Sequence, residues 1–143
     1  MAWLLDTNIV SEVWKPVPNS KVTHFLACCP GDQLYISIVA IAEFQHGANT
    51  VPDPIRQKVL TDWLTSVIRP MFQDRILAIT EPVMLRWLML VEQGRKTNHT
   101  FSQPDLFLAA TALEHNLTLV TRNTKDFRRI ADLQLFNPWT DTP

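Results

Sequence analysis

The chain has 143 residues, 46% hydrophobic and 19% charged, a balance that suits one folded unit with a proper core and excludes a disordered tract. Its net charge of −1 offers no broad basic face for a nucleic acid, and 3 glycines leave no Gly-rich cradle for a nucleotide phosphate.

The elements follow in chain order. "AWLL" (2–5) predicts a buried strand, and "NIVSEVW" (8–14) a helix that Pro16 and Pro18 end. "SKVTHFLACC" (20–29) predicts a second helix with Val22, Phe25 and Leu26 on one face and Ser20 as its cap. Pro30-Gly31-Asp32 marks a turn. "LYIS" (34–37) predicts a strand and "IVAIAEFQHGA" (38–48) an apolar helix. Ile55, Val59, Leu60, Trp63 and Val67 recur at helical spacing over 52–69, and Pro70 is expected to close that helix. "RILAI" (75–79) predicts a third strand. Over 81–96, Met84, Trp87, Leu88 and Val91 form one stripe. Residues 103–116 predict a helix, 117–121 a strand, 124–131 a short helix and 133–138 a last strand.

Strands that alternate with helices, each strand short and apolar, imply an α/β fold with a parallel sheet covered on both faces. No repeat or linker divides 1–143, so a single domain is expected. The only cysteines, Cys28 and Cys29, are neighbours, so no disulfide framework is drawn. No run approaches the roughly 18 apolar residues of a membrane span, and residues 2–5 are too short for a secretory leader. A reducing cytoplasm is the expected compartment.

In a parallel sheet, ligands bind beyond the carboxyl ends of the strands, where strand order reverses. Four acids are expected at that edge. Asp6 follows the first strand, Glu43 lies in the helix after the second, Asp105 opens the helix that feeds "LTLVT", and Asp126 lies past that strand's exit. Each has a structural reading too. Asp6 suits an N-cap, Asp105 stands three residues after Ser102 as in a capping box, and Asp126 suits a helix's first turn. Glu43 is the hardest to explain that way. Its helix is apolar on nearly every side, so its carboxylate is expected to be buried, with His46 as the one local partner. Clustered carboxylates repel, and a hard divalent cation relieves the repulsion, so oxygen ligation of Mg²⁺ or Mn²⁺ is the expected chemistry. His24, His46, His99 and His115 are scattered and show no zinc spacing.

The basic residues Arg122, Lys125, Arg128 and Arg129 follow the same strand exit, and Arg95, Lys96 and His99 precede Asp105. Both clusters are suited to hold phosphates, although Arg128 and Arg129 equally suit a solvated helix face. Trp3, Trp63 and Trp87 are expected in the core, whereas Trp14 and Trp139 are candidates for a protein interface.

"LLDTNIVSE" (4–12), "ISIVAIAEFQHG" (36–47), "QPDLFLAATALEHNLTLVTRNTKDF" (103–127) and "LFNPW" (135–139) together resemble the PIN-domain ribonucleases, above all the toxin subunits of type II toxin–antitoxin pairs, the VapC and FitB-like group. The resemblance spans nearly the whole chain in order. It implies a three-layer α/β/α PIN-like fold with a short central parallel sheet, and Mg²⁺- or Mn²⁺-dependent cleavage of RNA. Asp6, Glu43 and Asp105 match the family's core acids. Asp126 matches the acid of its D-F pair, while Asn123 stands where other members carry an acid. Thr7, Asn8 and Thr121 match its polar support residues, with Asn123 as a neighbour that orients water or a ligand. Asp6 and Asp105 are the implied metal contacts. A cognate antitoxin and a homodimer or higher toxin–antitoxin assembly are the implied partners.

Three other readings stay open. A housekeeping PIN nuclease would lack an antitoxin, and a non-catalytic PIN-like RNA-binding module would have lost acids that this chain retains. An aspartate-nucleophile phosphatase would want a second Asp where Asn8 stands.

Overall fold

The computed structural model describes residues 1–141. Five short strands form one parallel sheet in the order β3-β2-β1-β4-β5. They are β1 (Trp3–Leu5), β2 (Leu34–Ser37), β3 (Ile76–Leu77), β4 (Thr118–Val120) and β5 (Leu135–Phe136). β1 is central: Leu4 pairs with Tyr35 on one side and Leu119 on the other, and Leu5 with Ile36 and Val120.

The helices are α1 (Thr7–Trp14), α2 (Ser20–Cys28), α3 (Ile38–Asn49), α4 (Pro54–Trp63), α5 (Arg69–Met71), α6 (Glu81–Lys96), α7 (Gln103–His115) and α8 (Thr124–Phe127). Local chemistry sets their starts. Side chains of Asp6, Asn19, Ser37, Asp53, Thr80 and Ser102 each accept a backbone N–H of the first turn. Pro54, Pro82 and Pro104 occupy the first turns, where no N–H partner is needed. Asn19 takes the capping role expected of Ser20.

Side chains alternate across a strand, and this sheet has an apolar layer on each face. Leu5, Ile36, Val120 and Phe136 join Ile9, Phe25, Ile41, Leu64 and Ile68 in one core. Leu4 and Leu119 join Val83, Leu90, Leu106, Ala109 and Phe127 in the other. The three-layer α/β/α arrangement expected from the sequence is therefore the one observed.

Two stripes differ from expectation. Leu60 and Trp63 are partly buried, but Ile55, Val59 and Val67 are exposed. The chain widens into a π-helical turn at Leu64–Ile68, with Arg69 N–H bonded back to Leu64 O, and this rotates Leu64 and Ile68 onto the core. The helical path also passes through Pro70 to Met71 instead of closing before it. On α6, Leu88 is exposed, and Val83 and Leu90 are buried in its place. Of the tryptophans, Trp3, Trp63 and also Trp139, an interface candidate by sequence, pack on the first core and Trp87 on the second, where its ring stacks on Phe107 at 5.2 Å. No helix among the described residues is long and apolar enough to cross a membrane.

The segment after α6 folds back tightly. His99 N donates to Gly94 O at 2.9 Å, and Asn98 takes φ 54°, a left-handed turn that asparagine tolerates. A Cβ at Gly94 would lie 2.9 Å from the His99 carbonyl oxygen. Gly94→Ala is therefore expected to destabilise the fold by about 1–3 kcal/mol, as overpacking does, instead of giving the ~1 kcal/mol gain of an open helical site. Urea denaturation of the two proteins decides the sign.

Candidate active site

β1 and β4 are neighbours in the sheet, and the helices that follow them pack on opposite faces, α1 through Ile9 and α8 through Phe127. Their exits form the crevice where a doubly wound sheet binds ligands. Asp6 stands at the exit of β1, and its N–H donates to Val120 O of β4 at 3.0 Å. Thr121, fully buried, stands at the exit of β4.

Asp6 is 5% exposed, and every contact on its carboxylate is a neutral donor. Oδ1 accepts from Thr7 N at 2.7 Å and Thr7 Oγ1 at 3.2 Å. Oδ2 accepts from Thr121 Oγ1 at 2.7 Å and Asn8 Nδ2 at 3.4 Å. Asp6 thus caps α1 and also faces β4. The Thr121 hydroxyl has one proton, which it gives to Asp6, and it accepts from Asn123 N at 3.0 Å and Asn8 Nδ2 at 3.5 Å. Asn8 Oδ1 accepts from Arg122 N at 3.4 Å. The cluster ties β1, α1, β4 and the start of α8 into one unit.

Glu43 does not sit as its apolar helix implied. It is exposed, as are Ile38 and Ala42, because α3 presents this side to the crevice and buries Ala40, Ile41 and Ala48 instead. No hydrogen bond joins it to His46 or to any other described residue. Partial loss of water still raises its pKa, and the charges of Asp6 and then Asp105 raise it further. Asp105 lies in the first turn of α7, below the Ser102 cap. Partial burial raises its pKa most. A hydrogen bond with the Ser102 side chain opposes that rise, and the charges of Asp6 and Asp126 add to it. Asp126 is exposed on α8. The four acids thus share one field, with Asp6 acting on both Glu43 and Asp105, and Asp105 linked to Asp126. No lysine, arginine or histidine forms an ion pair with any of the four among the described residues.

The donor set bears on which ion fits. Among the described residues, no three His, Cys, Asp or Glu side chains lie close enough together to enclose an ion directly. This disfavours a closed structural zinc site. Mg²⁺ uses one or two carboxylates and keeps several waters. An open crevice of unpaired carboxylates fits that mode of binding.

The basic residues are arranged less compactly. Arg122, Lys125, Arg128 and Arg129 are all exposed. The Arg122 guanidinium lies 4.9 Å from the centroid of the Trp139 ring, and its carbonyl accepts from Asn137 Nδ2 at 3.4 Å. Sequence reasoning did not single out Asn137, which also accepts from Trp139 N at 2.9 Å. It also missed Ser37, buried at the exit of β2, which caps the helix that carries Glu43. A Ser just before an apolar helical run was the available signal. Buried Glu12 was unassigned as well. Lys15 and Asn19 N hold its carboxyl below the usual range and fix the α1–α2 connection.

The PIN domain family model matches residues 3–133. Toxin FitB of Neisseria gonorrhoeae is 35% identical over 138 residues, 96% of this chain and 99% of that protein. VapC ribonuclease Y4jK of Sinorhizobium fredii is 29% identical, covering 95% of this chain and 96% of that one. The crystal structure of FitAcB from N. gonorrhoeae superposes with a TM-score of 0.89 at 34% identity, over 96% of this chain and 99% of that one. A toxin–antitoxin complex from Klebsiella pneumoniae superposes at 0.70 with 28% identity, over 96% and 98% of the respective chains.

Two outcomes follow from the geometry. Thr121→Val keeps the size and removes the hydroxyl beneath Asp6, and should cost about 1–3 kcal/mol by chemical denaturation. Glu43 and Asp105 have raised pKa values, so the folded chain holds more protons than the unfolded one in the carboxylate range. Their contribution to stability therefore falls as pH rises through that range. In chelator, Glu43→Gln should melt higher than the parent at pH 7, with the difference shrinking toward pH 3.

Proposed function

The chain belongs to the PIN-domain family, and on that premise we propose that it is a metal-dependent endoribonuclease, the toxin of a toxin–antitoxin pair that a cognate antitoxin inhibits. The single observation that carries this reading is a set of acids from four chain segments, without ion-pair partners among the described residues, in which Asp6 and Asp105 act on Glu43 and Asp6 and Asp126 act on Asp105. The relatives' names, ribonuclease and toxin, support the reaction class.

Asp6 and Asp105 would hold Mg²⁺ or Mn²⁺ directly or through water, with Glu43 and Asp126 in the outer sphere. When bound, such an ion makes water a usable nucleophile near neutral pH and offsets charge on the phosphate oxygens. The chain's own part is positioning and proton handling. Thr7, Asn8 and Thr121 fix the Asp6 carboxylate by four hydrogen bonds. Glu43 or Asp126 takes the proton released by the attacking water; Glu43, open to solvent with its pKa raised, is well suited to this. Asn123, at the start of α8, orients water or a ligand. Arg122, Lys125, Arg128 and Arg129 hold RNA phosphates beside the acids.

A protein partner has its own support. An apolar hollow of about 390 Å³ is lined by Val10, Val13, Leu26, Trp63, Val67 and Met71, and Val13, Val67 and Met71 are exposed. The Klebsiella neighbour is described as a toxin–antitoxin complex. A homodimer or larger toxin–antitoxin assembly of single-domain chains is the proposed organisation. Free Cys28 and Cys29 suit a reducing cytoplasm.

Purified chain incubated with total RNA should cleave it with Mg²⁺ or Mn²⁺ and stop on addition of chelator. Asp6→Asn keeps a good helix cap, so it should retain the parent's circular dichroism while cleavage falls at least about a hundredfold. Undiminished cleavage by that variant contradicts the assignment.

A further inference from the structure

Two hollows of about 240 Å³ each share Phe101, Gly94 and Leu90 as walls. Arg95, His99 and Gln103 line the first, and Thr97 and Arg129 the second. Neither is lined by an acid among the described residues, although Glu92 Oε2 lies 4.0 Å from Arg95 Nη1 on the exposed side of α6. Gln103 and Asp105 share the first turn of α7, and Arg129 follows Asp126 by three residues.

The walls are firmly set. His99 N and Thr97 N bond back to Gly94 O and Gln93 O at 2.9 and 3.2 Å. The His99 ring meets Phe101 edge-on, with centroids 4.3 Å apart. Phe101 itself is half-buried against the α6–α7 core. Each hollow is small beside the 300–1,000 Å³ of a typical small-molecule pocket, a size that suits one flat ring system. An aromatic wall, an amide and guanidinium groups at the rim are what a single-stranded nucleotide calls for. The base stacks, its edge is hydrogen-bonded, and the flanking phosphate meets a cation.

We infer that the Phe101 hollow beside α7 is a nucleobase subsite for single-stranded RNA, set next to the carboxylates; this deepens, and rests on, the ribonuclease reading. The base lies against Phe101, Gln103 reads its edge, and Arg95 and Arg129 hold phosphates on either side.

The test uses the full chain carrying Asp6→Asn, so that RNA stays intact, and eight-nucleotide single-stranded RNAs with 2-aminopurine at each position in turn. Quenching is expected at one or two adjacent positions. Phe101→Leu, which keeps an apolar filler but removes the stacking surface, should abolish that quenching and weaken binding about tenfold. Gln103→Ala, on the exposed rim, should weaken the quenched position alone, and it serves if Phe101→Leu melts well below the parent. Uniform fluorescence along the RNA, or an unchanged pattern in both variants, overturns the subsite. If the unsubstituted chain cleaves RNA while fluorescence is uniform, the subsite fails and the nuclease reading stands. If quenching is local while the unsubstituted chain is inert, the nuclease reading fails and an RNA-binding subsite remains.

Discussion

Like charges held near one another, with no ion-pair partner among the described residues, constrain everything else at this sheet edge. Asp6, Glu43, Asp105 and Asp126 come from four parts of the chain, and each lies within the field of at least one of the others. Folding works against this repulsion, and the two apolar layers supply the opposing free energy. Leu4 and Leu5, buried on opposite faces of β1, anchor the strand whose end carries Asp6. The core is therefore what holds the acids where solvent alone would let them separate.

Topology decides which acids meet. A central first strand lies between β2 and β4; α1 and α3, after β1 and β2, pack on one face, and α8, after β4, packs on the other. Asp6 and Thr121 then stand at adjacent exits, and the start of α7 brings in Asp105. Asp6 caps α1 with one oxygen and faces β4 with the other, so its carboxylate is held at the point where the two strands end. The cap role is the one the hydrogen bonds show, and the second oxygen is held by Thr121 at the exit of the neighbouring strand.

Strand and helix positions were legible because the apolar runs are short and punctuated by Pro, Asn, Asp and Ser. What stayed hidden depended on orientation. The composition of 38–48 is apolar enough to suggest burial of Glu43, but only the packed helix shows which side opens on the crevice. Pro70 reads as a stop, yet the π turn before it leaves no N–H requirement that the ring would violate. The same turn sends Val67 outward and Ile68 inward, a rotation that a fixed 3.6-residue period misses. The four acids drew notice by their places after strands and at a helix start. Ser37 had a cap signal before its apolar helix that went unused, whereas Asn137 had none, because its bond to the Arg122 carbonyl joins residues far apart in the chain.

The most direct test of the central claim is calorimetric titration of the metal-free chain with Mn²⁺ at pH 5, repeated in buffers of differing ionisation enthalpy. Carboxyls crowded into one field should release protons as a divalent ion binds, so saturable heat that varies with buffer is expected. Absence of saturable heat, with a melting temperature indifferent to Mn²⁺, would mean that these side chains do not act together on a cation.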